Sequence, residues 1–179
     1  VDRVMHCQHR FIRSRWFEPP FGGEIFTTLI LDAFDAMAAS ERGPVLLPDG
    51  HPLDLFVTVT DFEGHPQSLT LNSPPQVIET EHRLSIGFRA RGRGAREFAD
   101  TAELVFAARA TASFPGAFPP FTVRELDRVL KRRHRNWPTR DAFLARALPR
   151  HWARGTAEDA VLIDGSVLAN APFAQAIGA

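Results

Sequence analysis

Cysteine, lysine and long apolar runs are scarce in this sequence, and each shortage closes off a class of protein. Cys7 is the only cysteine, so no internal disulfide can form and no thiolate cage can hold zinc. Lys131 is the only lysine among the 21 basic residues, so nearly all positive charge is arginine. Arginine suits two-pronged contacts with phosphate or carboxylate, although a GC-rich coding sequence produces the same bias. Lys+Arg and Asp+Glu both number 21, which leaves no global attraction to nucleic acid, and no nucleic-acid partner is expected. No apolar run is long enough to span a bilayer, and the N-terminus lacks the apolar core of a signal peptide. A cytoplasmic location is the expectation, with a peripheral membrane position open. There are no internal repeats.

What is present is ordinary globular material. The 179 residues are 44% hydrophobic and 23% charged, enough for one domain with a core. In residues 1–22, His6, Cys7 and His9 stand close together. With no second cluster to complete four ligands, a surface terminus is preferred to a metal site. Residues 24–40 read as an amphipathic helix, with Ile25, Phe26, Leu29, Ile30, Ala33, Phe34 and Met37 on one face and Gly43-Pro44 ending it. Leu53 to Asp61 is the best strand. Its apolar run predicts burial on both faces of a parallel sheet; Asp61 reads as a turn former. Ser68 to Leu71 and Arg83 to Phe88 alternate as half-buried strands do, and predict an antiparallel extension. Arg91-Gly92-Arg93-Gly94 is read as a solvated loop.

Asp100 or Thr101 caps a helix running to about Ala112, with Glu103 in its first turn. Thr122-Val123-Arg124-Glu125 fits a capping box, followed by a helix with Val123, Leu126, Val129 and Leu130 on one face. Trp137-Pro138 breaks it. Thr139 starts a second short helix carrying Phe143, Leu144, Ala147 and Leu148. Lys131 to Arg135 form a basic cluster that the helix dipole favours. A solvated basic face is one reading. The other makes Arg132, Arg133, Arg135, Trp137 and Trp152 a lipid-surface patch, because basic residues are drawn to anionic headgroups and tryptophan to the water–lipid boundary.

Near the end, Val161-Leu162-Ile163 reads as a short buried strand ending in Asp164-Gly165. A carboxylate there stands where open α/β sheets bind ligands; taken alone it reads first as a turn residue or helix cap. Upstream lies Ala110-Thr111-Ala112-Ser113-Phe114-Pro115-Gly116-Ala117-Phe118-Pro119-Pro120. Together and in this order, the two stretches resemble the patatin-like phospholipase family. Its motifs are an Ala/Ser-rich helix end, Pro-Gly-x-Phe-Pro-Pro, and a strand closed by Asp-Gly-Gly. Ser166 replaces the second glycine. The resemblance implies an α/β fold in three layers, with a mainly parallel sheet between helices. It also implies that residues 122–158 are a basic helical insertion before the Asp-Gly strand. Asp164 would be the catalytic aspartate, with Gly165, Ser113, Pro115, Gly116, Phe118 and Pro119 walling the site.

The family's Ser–Asp dyad takes its serine from a G-x-S-x-G elbow. Ser14, Ser40, Ser68, Ser73, Ser85, Ser113 and Ser166 are the only serines, and none stands in that setting. A glycine-rich oxyanion loop is also missing. The chain thus resembles the C-terminal part, residues 1–179, of one patatin-like domain. The expectation is a lipid acyl hydrolase acting on phospholipid or another acyl ester, without cofactor or metal, and inactive as this fragment. The alternative is a non-catalytic remnant that binds a lipid surface or a protein.

Overall fold

The computed structural model describes residues 22–41, 43, 48, 50–70, 72–73, 76–90, 98–168 and 176–177. His6, Cys7, His9, Pro44, the Arg91–Gly94 loop and Asn170–Pro172 lie outside them. Helix α1 spans Gly23–Ala39, and strands β1 and β2 span Leu53–Thr70 and Gln76–Ala90. Helices α2 (Thr101–Thr111), α3 (Val123–Arg132), α4 (Arg140–Ala147) and α5 (Pro149–Arg154) follow, then strand β3 (Leu162–Asp164).

The sheet has the order β2-β1-β3, and both pairings are antiparallel. The mainly parallel sheet expected from the sequence is therefore corrected for these residues. β1 runs from Leu53↔Ala90 to Thr70↔Gln76 against β2, with its register broken between Thr60 and His65. The run Leu55 to Val59 is not buried on both faces. Val57, Val59, Leu84, Ile86 and Phe88 share the face turned to the helices, and Val59, Ile86 and Phe88 are buried there. On the other face Ser85 and Arg83 are exposed. Phe56 lies over Gly87, whose missing side chain leaves room for the ring. On that second face Thr60 is nonetheless buried and Phe56 and Thr58 are half-buried, with Gly165 packed onto Thr58. The apolar continuity that suggested a doubly buried strand came from Phe56, an aromatic resting on a glycine.

Helices α1 to α4 form where the sequence put them, although Thr139 does not cap α4 and its hydroxyl bonds Glu103 instead; α5 was not expected. Asp100 caps α2, its carboxylate accepting the Ala102 amide at 2.8 Å, and Glu103 sits in the first turn. In α3 the predicted face Val123, Leu126, Val129 and Leu130 is wholly buried. The capping box is not formed, because the Thr122 side chain makes no cap bond and Glu125 turns inward. In α1 the core-facing residues are Thr27, Ile30, Leu31 and Phe34. Leu29 and Met37 of the predicted face are exposed, so that face is rotated from the expected one.

Residues 122–158 share the common core. Leu126, Val129, Phe143, Leu144 and Leu148 pack in one cluster with Val59, Ile86, Phe88 and Leu162. Phe106 stands edge-on to both Phe121, at 5.0 Å, and Phe143, at 5.1 Å. Such pairs add about 0.5–1.5 kcal/mol each beyond area burial. These contacts tie α2, α4 and the segment entering α3 to the sheet.

Candidate active site

β3 brings the two motifs into contact. Leu162 and Phe121 exchange backbone hydrogen bonds at 2.8 and 2.9 Å. The Asp164 amide donates to the Ser113 carbonyl at 3.1 Å, and the Thr60 hydroxyl donates to the Asp164 carbonyl at 3.0 Å. Asp164 is therefore held at the strand end between β1 and the start of the proline-rich loop. Gly165 is buried against β1, where a Cβ would lie 2.2 Å from the Thr58 carbonyl oxygen. The glycine is required by this close approach of β1. The half-buried Asp164 side chain accepts the Ser166 amide at 2.8 Å. The carboxylate thus caps the short 3₁₀ turn Gly165–Val167, the role it suggested when taken alone.

The wall is built from the end of α2. Pro115 and Gly116 are exposed at the bend, with φ +93° at Gly116. Phe118 returns inward and stacks on Phe26 of α1, with centroids 4.2 Å apart. Ser113 is fully buried; its hydroxyl donates to the Arg109 carbonyl at 2.8 Å and accepts from Arg109 Nη1 at 2.5 Å. That hydroxyl is used structurally and does not stand as a nucleophile. Cavities of 220 Å³, beside Glu24 and Leu29, and 440 Å³, beside Lys131 and Trp137, lie elsewhere, and Asp164 lines neither.

Two buried polar centres were not read from the sequence. Arg109 is wholly buried, with Nε 3.0 Å from Glu125 and Nη2 donating to the Pro119 carbonyl at 3.1 Å. Burial lowers its pKa, and the Glu125 carboxylate opposes that shift. The rings of Phe26 and Phe121 lie 5.4 and 5.5 Å from the guanidinium, a further stabilising contact for a cation. Arg109 stands three residues after Phe106 and four after Val105, on the buried face of α2. That spacing was the available signal. The second centre is Asp61, 2% exposed, which holds His151 Nε2 at 2.9 Å. His151 Nδ1 lies 3.1 Å from the Thr156 hydroxyl. Asp61 does form the turn read from the sequence, its Oδ1 accepting the Glu63 amide at 3.2 Å before Gly64 (φ +66°). Its other oxygen, buried, takes His151 as the partner it needs there.

The five lipid-surface candidates are placed in different settings. Arg132 pairs with Glu24, Arg133 with Asp32 and Arg135 with Asp35, all on α1. Trp137 packs with Phe106 and Phe143 at the edge of the core, a correction to the expected surface position. It stands just before Pro138, where the chain turns back toward α4. Trp152 is 40% exposed. Among the described residues, no group of three or more His, Cys, Asp or Glu is placed to hold a metal. No described helix is long and apolar enough to cross a membrane.

The strand closed by Asp-Gly thus bonds to both ends of the proline-rich segment, at Ser113 and at Phe121. The family model described as patatin-like phospholipase matches residues 10–177. The chain belongs to the patatin-like phospholipase family, whose members are lipid acyl hydrolases by class. No curated protein and no solved structure matches it.

Proposed function

We propose that this chain carries the base half of a lipid acyl hydrolase site, with Asp164 as general base. The observation that supports it most is the bond from the Asp164 amide to the Ser113 carbonyl, which joins the strand closed by Asp-Gly to the start of the proline-rich loop. In this reading a serine hydroxyl loses its proton to Asp164 as its oxygen attacks the ester carbonyl. The carboxyl group then returns the proton to the departing alcohol, leaving an acyl-serine. Water, deprotonated by the same carboxylate, releases the fatty acid and restores the serine. Backbone amides of a glycine-rich loop would stabilise the oxyanion. Gly165, Pro115, Gly116, Phe118 and Pro119 shape the wall, and Ser113 anchors it. Serine and oxyanion loop come from sequence outside these 179 residues, so the chain alone is inactive. Substrates are phospholipids or other acyl-ester lipids.

A fluorophosphonate probe, which labels activated serines, tests this. Val1–Ala179 should remain unlabelled. The same chain extended by the coding sequence upstream of Val1 should label at a G-x-S-x-G serine. Labelling of one of the seven serines within Val1–Ala179 would show that this chain carries its own nucleophile and would contradict the reading; an upstream sequence without that motif would favour the non-catalytic one.

A further inference from the structure

The buried arginine connects α1 to the candidate site. Thr27 of α1 is fully buried, and its hydroxyl donates to Glu125 Oε1 at 2.5 Å. The same oxygen accepts from Arg109 Nε at 3.0 Å. The other two guanidinium nitrogens leave this pair toward the wall: Nη1 reaches the Ser113 hydroxyl at 2.5 Å and Nη2 the Pro119 carbonyl at 3.1 Å. Ser113 in turn presents its carbonyl to the Asp164 amide. At the start of α1, a Cβ on Gly23 would lie 2.3 Å from Glu125 Oε2 and 2.9 Å from Arg109 Nη2. The α1 backbone thus lies directly on the ion pair. Phe26 closes the same junction, stacked on Phe118 and facing the guanidinium.

We infer that α1 is a regulatory clamp on the Asp164 site, and that Arg109 is the positioning residue through which it acts. The physical reason is that a planar guanidinium fills its hydrogen-bond directions in one geometry only. With Glu125 held by Thr27, Arg109 is pinned, and both ends of the wall, Ser113 and Pro119, are pinned with it. If α1 lifts, Glu125 loses a donor and is free to rotate with Arg109. The Ser113 carbonyl then no longer has a fixed place to receive Asp164. Buried polar networks of this kind rigidify a site when every member is satisfied. The surface pairs between α1 and the α3 end add little, so the docking of α1 rests on its buried contacts, Thr27 on Glu125, Leu31 in the core and Phe26 on Phe118. The inference concerns regulation of the site proposed above and rests on Asp164 as its base.

Amide hydrogen exchange and the Asp164 carboxyl carbon-13 shift, measured by NMR on Val1–Ala179, test the clamp. Thr27→Val keeps shape and removes the donor; Gly23→Ala pushes α1 off the pair. Both should speed exchange of the Asp164 amide at least tenfold and move its carboxyl resonance. Val57 and Ile86, in the hairpin, should stay within twofold. Arg109→Lys keeps charge without the planar fork and should behave like Thr27→Val. Thr28→Ser, which keeps a hydroxyl on the neighbouring α1 position, is the control and should change nothing at Asp164. Asp164 exchange that stays unchanged, or rises only together with Val57 and Ile86, overturns the clamp. The exchange result is independent of catalysis. Loss of the base assignment by Asp164→Asn in an active, extended chain would remove the proposed function and leave the coupling standing.

Discussion

The Arg109 guanidinium and the Glu125 carboxylate form an ion pair at 3.0 Å, with side chains 0% and 8% exposed. Removing one partner strands the other in the core. Arg109→Met or Glu125→Leu alone should cost about 3–5 kcal/mol, whereas the double replacement should recover much of that loss. Urea unfolding of the two single variants and the double variant gives the coupling directly. Additive losses would show that the pair does not act as a unit.

Arg128 and Arg132 with Glu24, Arg133 with Asp32 and Arg135 with Asp35 join α3 and the residues just after it to α1. The arginines are about half exposed, so each pair is worth about 0–1 kcal/mol and weakens with salt. Replacing Arg132, Arg133 and Arg135 together by serine should lower the melting temperature at low salt, and less at high salt. Flotation with phosphatidylserine vesicles should not change, since these charges already have partners. Loss of vesicle binding would instead support the lipid-surface reading.

Two groups in the hairpin make stability depend on pH. Hydrogen bonds from Arg83 hold the Glu81 carboxyl down to about 2. Its folded value lies below the unfolded one, so its contribution is present above pH ~4.3 and is lost as pH falls toward about 2. The stability difference between the native chain and Glu81→Gln should be level above about pH 5 and narrow below it. His65 is lowered by burial and by the charge of Arg150. The unfolded chain takes up that proton first, so stability should fall as pH drops through ~6.5. His65→Phe should flatten that part of the curve.

His134, just after α3, has φ +51°, a left-handed conformation that costs a side-chain-bearing residue. His134→Gly should raise stability by roughly 0.5–1 kcal/mol. Thermal melts decide it; a lower melting point would mean the imidazole makes a contribution larger than the backbone cost.

The helices were legible because their apolar residues repeat with helical spacing, and α3 buries the four residues that spacing named. The contact between Ser113 and Asp164 was legible as a pairing of motifs. Strand direction was legible only in part: the antiparallel pairing of Arg83 to Phe88 with the preceding strand was expected and is found, but a run such as Leu55 to Val59 reads alike in parallel and antiparallel sheets until its partner is known. The buried charges were missed for a related reason. Glu125 fits a capping box locally, and only the arrival of Arg109 and Thr27 from elsewhere in the chain turns it inward. Asp61 likewise acquires its meaning from His151, ninety residues away.

Turnover of a p-nitrophenyl ester tests the central claim most directly. Purified Val1–Ala179 should show none above background. Joined to a segment supplying the G-x-S-x-G serine, it should turn over, and Asp164→Asn should abolish that activity while leaving the fold intact. Turnover by Val1–Ala179 alone that vanishes with Asp164→Asn would contradict the account, because this chain would then hold both halves of the chemistry.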